Sequence, residues 1–166
     1  MKKIFLVLFF LYLLSNLPES IEESSENNSV SKLIKMVRME IIDKSLLFLP
    51  KRKEVNILQI INYMIKAKEE YSFNEVESVF LVFKWIAQNI RINFNDEDLD
   101  NPINAYTSGE GTPKALSSLF NNICTFFKIN SDSISGYLKW INSKDDVIVS
   151  DRDYTWNYIQ INGEYY

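Results

Sequence analysis

Apolar residues along this chain return at helical spacing as far as Phe127 and at strand spacing after Lys128. Leu33, Ile34, Val37, Ile41 and Ile42 predict a helix within Lys32–Leu49, ending in the apolar run Leu46–Leu49 before Pro50. A second helical face runs Ile57, Leu58, Ile61, Met64, Ile65 within Ile57–Lys68. Ser72 and Glu75 have the spacing of a capping box. They predict a third helix with the face Val76, Val79, Phe80, Phe83, Ile86, Ala87, Ile90. Thr112 suits an N-cap and Pro113 a first helical position, where its missing N–H is no loss. The helix they open, Pro113–Phe127, carries the stripe Leu116, Leu119, Phe120, Ile123, Phe127. The only cysteine, Cys124, lies at the margin of that stripe and reads as a small buried hydrophobe.

Alternation then predicts a strand over Ser133–Ile141, a polar loop over Asn142–Asp146 and a short strand at Val147–Val149. A longer strand follows over Tyr154–Ile161, and Asn162-Gly163 signals a hairpin into Glu164–Tyr166. Helices first and an antiparallel sheet afterwards give an α+β order. The Lys51-Arg52-Lys53 cluster and the acidic stretch Asn93–Asp100 read as solvated turns.

The N-terminus is different in kind. Lys2 and Lys3 precede the unbroken apolar run Ile4–Leu14, and a polar stretch with Pro18 follows. That is the layout of a secretory signal, and the run is short for a membrane-spanning helix. Residues 1–20 are therefore expected to be a signal peptide that makes the protein secreted or extracytoplasmic. Membrane association would follow only if this segment stays as an uncleaved anchor. Residues 21–30 read as a flexible polar leader, with a glycosylation sequon at Asn27-Asn28-Ser29. Residues 31–166 then form a single domain, as a length of 166 residues suggests.

Composition narrows the chemistry. Apolar residues make up 46% and aromatics 14%, enough for a sizeable core. The net charge of −4, with mixed signs along the chain, leaves no basic footprint for nucleic acid. There is no histidine, so the commonest general base and the commonest zinc ligand are both missing. One cysteine cannot complete a Cys/His zinc site or an internal disulfide. The acidic stretch Asn93–Asp100 lacks the spacing, glycine and closing glutamate of a calcium-binding loop. No metal and no cofactor are expected.

Four short segments resemble transglutaminase-like domains, particularly the kyphoscoliosis-peptidase-like branch. Trp85-Ile86-Ala87-Gln88-Asn89-Ile90 resembles the family's W-I-x-x-N-I-x-Y-D. Gly111-Thr112-Pro113, continuing to Leu119-Phe120, resembles G-V-C-x-G-Y-A-x-L-F. Ile134-Ser135-Gly136-Tyr137-Leu138-Lys139 looks like V-x-G-Y-x-K. Tyr154-Thr155-Trp156-Asn157, with Asn162-Gly163 and Tyr166 beyond, looks like H-A-W-N … G-x-W-Y. The match covers residues 72–166, with an extension back to residue 31. It implies a papain-like α+β fold of the transglutaminase-core type, with N-terminal helices on a small antiparallel sheet. It also implies acyl-transfer chemistry: a cysteine at the start of the central helix, activated by a histidine on the facing strand and an aspartate on the next.

At each of those places this chain departs from the family. The cysteine position falls on Pro113 and the histidine position on Tyr154. An ordinary phenol, with a pKa of about 10, is a poor base at neutral pH. The aspartate position would fall beyond Tyr166, so the domain is expected to be cut short of the family's last core strands. No catalytic residue is expected. The expectation is a secreted, inactive transglutaminase-like domain that binds a protein or peptide in the old substrate groove. Trp85, Thr112, Trp156 and Asn157 would line that groove. Two alternatives are an active acyl-transfer enzyme using Cys124 or a carboxylate pair, and a remnant without a selected role.

Overall fold

A computed structural model of the chain describes residues 37–94, 97–141 and 147–166. The expected signal, leader and sequon, and the loop over 142–146, lie outside the described residues. Five α-helices occur among the described residues: α1 (Met39–Leu46), α2 (Ile57–Glu70), α3 (Glu75–Asn89), α4 (Pro102–Ser108) and α5 (Pro113–Phe126). Short strands β1 (Arg91–Ile92) and β2 (Glu110–Gly111) pair in parallel on either side of α4. The chain then forms an antiparallel sheet of β3 (Asn130–Ile141), β4 (Val147–Ile161) and β5 (Glu164–Tyr165), in the order β3-β4-β5. The fold is α+β, with the helices segregated ahead of the sheet.

α2 and α3 begin by the same device. Asn56 Oδ1 accepts the Gln59 amide at 2.9 Å, and Gln59 Oε1 accepts the Asn56 amide at 2.9 Å. Asn74 and Glu77 repeat this reciprocal pair at 2.9 and 3.1 Å. Each box satisfies two of the orphan N–H groups at a helix start. The expected box at Ser72 and Glu75 is therefore displaced by two residues. Ser72 sits instead in the left-handed region at φ 51°, within the turn that joins α2 to α3.

Glu77 does a second job. Its side chain is 1% exposed and receives Arg38 twice, Nε to Oε1 at 2.6 Å and Nη2 to Oε2 at 2.7 Å. Arg38 Nη2 also donates to Ser72 O at 3.0 Å, and its guanidinium lies 5.8 Å from the Phe73 ring centroid. One arginine thus ties the segment before α1 to the α2–α3 turn. The Arg38 hydrogen bond holds the Glu77 carboxyl below its ordinary range, against the desolvation that would raise it.

The expected solvated turn at Lys51–Lys53 holds for Lys51 and Lys53, which are exposed, but not for Arg52. Arg52 lies in a short 3-10 turn, and its guanidinium donates to the carbonyls of Tyr106, Thr107 and Ser108. Those are the last carbonyls of α4, where a cation is favoured by both hydrogen bonding and the helix dipole. Gly109 closes the same helix at φ 85°, and a Cβ there would lie 2.3 Å from Arg52 Nη2.

The core is centred on α3 and α5. Ile42, Ile60, Met64, Leu81, Val82, Leu119 and Ile123 are essentially inaccessible. Burying each such side chain contributes about 2 kcal/mol. α3 packs against α1, α2 and α5, and α5 packs against β3 and β4 on its other side. β4 is one continuous strand, where the sequence pattern suggests two pieces. A bulge between the Tyr137/Asp153 and Lys139/Val149 pairs absorbs the break in alternation. Asn162 at φ 53° and Gly163 at φ 84° form the tight turn into β5.

Candidate functional site

The start of α5 is the place where the resemblance would put a nucleophile. Thr112 is the N-cap, and its Oγ1 accepts the Ala115 amide at 3.3 Å. The same hydroxyl donates to Asp100 Oδ1, and Lys114 Nζ reaches Asp100 Oδ2 at 3.2 Å. The Thr112 hydrogen bond, more than Lys114, holds the Asp100 carboxyl below its ordinary value. Pro113 occupies the first helical position and offers no nucleophilic atom. The positive end of the helix therefore faces a carboxylate rather than a thiolate. Gly111 is required just before it, because a Cβ there would lie 2.6 Å from the Ala105 Cβ of α4.

Tyr154 lies on β4. Its ring stacks with Trp156 at a centroid distance of 6.2 Å and meets Phe94 edge-on at 5.3 Å. Phe94 follows the β1–β2 pair directly, where the Asn93 amide donates to Gly111 O at 2.9 Å. Tyr154 is thus linked to the start of α5 through Phe94. Strand alternation puts Tyr154 and Trp156 on the face opposite Asn157, since successive side chains point to opposite sides. Trp156 also covers Gly136 across the sheet, with ring carbon Cζ3 3.4 Å from where a Cβ would stand.

Asn157 points the other way, onto α5. Its Nδ2 donates to Ser117 O at 2.9 Å and to Asn121 Oδ1 at 2.8 Å. This amide fastens the sheet to the helix. Trp85 is likewise a core residue, 1% exposed, with Nε1 donating to Pro50 O at 3.1 Å and its ring stacked on Tyr106. Thr112 is buried and occupied as a cap. The four residues expected to line one groove therefore lie in four places: Thr112 at the start of α5, Trp156 on the outer face of β4, Asn157 on its α5 side and Trp85 in the interior.

Two candidate nucleophiles lie within α5. Cys124 is fully buried, and that burial pushes its thiol up to about 12, against a smaller lowering by a hydrogen bond with Ser131. A thiol so placed stays protonated and unreactive at neutral pH. Ser117 is 3% exposed, and its Oγ has no hydrogen-bond partner. No group of three or more His, Cys, Asp or Glu side chains among the described residues is arranged to hold a metal ion.

Sequence reasoning missed α4 and Phe94. The α4 signals are present in the chain: Asn101 caps with Oδ1 accepting the Ile103 amide at 2.8 Å, Pro102 opens the helix and Gly109 ends it. No pattern signals Phe94, which meets Tyr154 only because β1 and β2 pair.

No protein-family model matches the chain, and no curated protein matches it. Among solved structures, the chain is similar to a crystal structure described as a "putative protease" from Parabacteroides distasonis ATCC 8503. The identity is 18% and the TM-score 0.45, over 75% of this chain and 24% of that one. The chain spans under a third of that protein's length, 24% of it.

Proposed function

We propose that this chain is a transglutaminase-like domain of papain-like type whose acyl-transfer chemistry has been lost. It acts as a secreted module that binds a protein or peptide. The observation that carries this reading is the start of α5. The position that resembles the family's nucleophile is Pro113, and the helix end is occupied by the Thr112–Asp100–Lys114 cluster. The absence of histidine from the sequence supports it, as does the burial of the only thiol. Tyr154, at the position that resembles the family's histidine, joins Phe94 and Trp156 in an aromatic surface suited to contact rather than proton transfer. The Ile4–Leu14 run behind Lys2 and Lys3 supports secretion.

The test is an assay of purified protein against a glutamine-containing peptide with an amine co-substrate. Neither hydrolysis, deamidation nor cross-linking is expected. Turnover would overturn the inactive reading, and turnover abolished by Cys124→Ala would assign it to the buried thiol.

A further inference from the structure

Leu47 and Phe48 are consecutive, and at 82% and 70% they are the most exposed large apolar side chains among the described residues. Single exposed apolar residues are ordinary, whereas an adjacent pair this far out of the core calls for a cause. The pair forms the tip of the turn that follows α1, and the base of that turn is fixed. Ser45 and Leu46 are buried just before it. Just after it, Pro50 O accepts Trp85 Nε1 at 3.1 Å and the Arg52 amide donates to Asn89 Oδ1 at 3.1 Å. The amides of the tip are satisfied within the turn. Leu47 N–H donates to Lys44 O at 3.2 Å, Phe48 N–H to Ser45 O at 3.1 Å and Leu49 N–H to Leu46 O at 3.3 Å. The tip can therefore leave water without stranding those donors.

Charge around the tip has one sign. The stretch Lys44–Lys53 holds four cations and no acidic residue, in a chain whose net charge is −4. Arg52 is occupied by the carbonyls that end α4. Lys44, Lys51 and Lys53 are exposed, and none of them forms an ion pair among the described residues. The nearest acids in sequence are both engaged. Asp43 pairs with Lys84, and Glu54 Oε2 accepts the Lys51 amide at 3.0 Å.

We infer that the Leu47–Phe48 tip, flanked by Lys44, Lys51 and Lys53, docks on an anionic membrane surface. The two apolar side chains enter the interface, and the lysines meet the lipid headgroups. That surface is apolar beneath a charged layer, and the tip has the matching order. A polyanion alone would leave Leu47 and Phe48 in water, and an apolar groove alone would leave the lysines uncompensated. Each lysine contributes about fivefold in affinity at an anionic surface. Docking of this kind is reversible and weakens with salt. It is separate from any attachment through the Ile4–Leu14 run, and it goes beyond the peptide-binding reading without resting on it.

A polarity-sensitive dye on the full chain tests it, attached through Leu47→Cys, with Cys124 buried and left unlabelled. The same dye on Asn122→Cys, an exposed position of α5, is the control. Emission from the tip should shift to the blue with vesicles of equal phosphatidylserine and phosphatidylcholine. It should not shift with phosphatidylcholine alone, nor at the control position. Replacing Lys44, Lys51 and Lys53 together by glutamine should raise the lipid needed for half the shift by about a hundredfold. Phe48→Asp should raise it by about tenfold or more. All of these side chains are exposed, so the variants should unfold at the wild-type urea concentration. A tip that stays in water while the chain is bound to vesicles would overturn the inference, because attachment would run through another segment. No shift at any lipid concentration, an equal shift with phosphatidylcholine, or indifference to the lysine replacements would overturn it as well. Blue emission in free protein would also overturn it. If that emission fades on dilution, a second copy covers the tip, and if it persists, the chain itself does.

Discussion

Alternate residues of β4 meet opposite surroundings. On the side of α5, Ile159 and Ile161 are buried at 7% and 5% exposure, and Asn157 is pinned to two groups of the helix. On the other side, Tyr154 stacks on Trp156, and Tyr158 meets Tyr165 edge-on at 5.8 Å. The inner residues contact the hydrophobic core, and the outer ones meet other aromatic rings, Phe94 and Tyr165 among them. Aromatics in a strand are ordinarily packing residues, and here the backbone register separates those that pack from those that present a surface.

The largest effect should come from breaking the inner face. Ile159→Ala should cost about 3 kcal/mol in urea unfolding, by lost burial and an incompletely closed cavity. Trp156→Ala on the outer face should cost about 1 kcal/mol, the order of one aromatic pair. Equal costs would mean that the outer face is core as well.

Glu77 sharpens the comparison by adding charge to a buried position. Glu77→Gln should cost about 2 kcal/mol at neutral pH, through weakened hydrogen bonds at a cap and at an arginine that water partly reaches. The sign with pH follows from the lowered carboxyl. The folded protein releases this proton more readily than the unfolded chain does. Its stabilisation is therefore full above the ordinary glutamate range and lost as pH falls through the lowered value. Urea midpoints of the wild type and Glu77→Gln should converge as the solution is acidified, and a constant gap would contradict the assignment.

A smaller pair of substitutions separates a polar group that is satisfied from one that is not. Asn157→Ala should cost about 1–2 kcal/mol, because Asn121 Oδ1 loses a donor at the helix–sheet contact. Ser117→Ala should fall within about 0.5 kcal/mol of wild type or stabilise slightly, because the Ser117 hydroxyl has no partner to lose. Cys124 gives a kinetic version of the same test. A maleimide should leave it unmodified in folded protein and modify it after denaturation, and fast labelling of folded protein would show an accessible thiolate.

Periodicity in the sequence located α2, α5 and the β4–β5 hairpin closely, because each carries a long uninterrupted pattern with recognisable end residues. It misplaced the start of α3 because Ser72-x-x-Glu75 and Asn74-x-x-Glu77 are both good boxes two residues apart. Only the turn at Ser72 and the long-range contact from Arg38 choose between them. α4 is short, and its cap, proline and glycine were legible but enclose little apolar stripe. The candidate site was legible in part. The start of α5 carries its residues in sequence order, so Thr112 and Pro113 lie where the pattern puts them. The groove does not follow from order, because the sides on which Trp85, Trp156 and Asn157 face depend on packing and register. Arg52 shows the same limit: a basic cluster looks solvated until a distant helix end supplies the carbonyls.

Mass spectrometry of a glutamine-containing peptide incubated with an amine and the full chain tests most directly whether this protein binds without transforming. The peptide and the amine should keep their original masses at every time point, in wild type and Cys124→Ala alike. A deamidated, hydrolysed or amine-linked product formed by the wild type would contradict the proposal that this chain has no acyl-transfer chemistry.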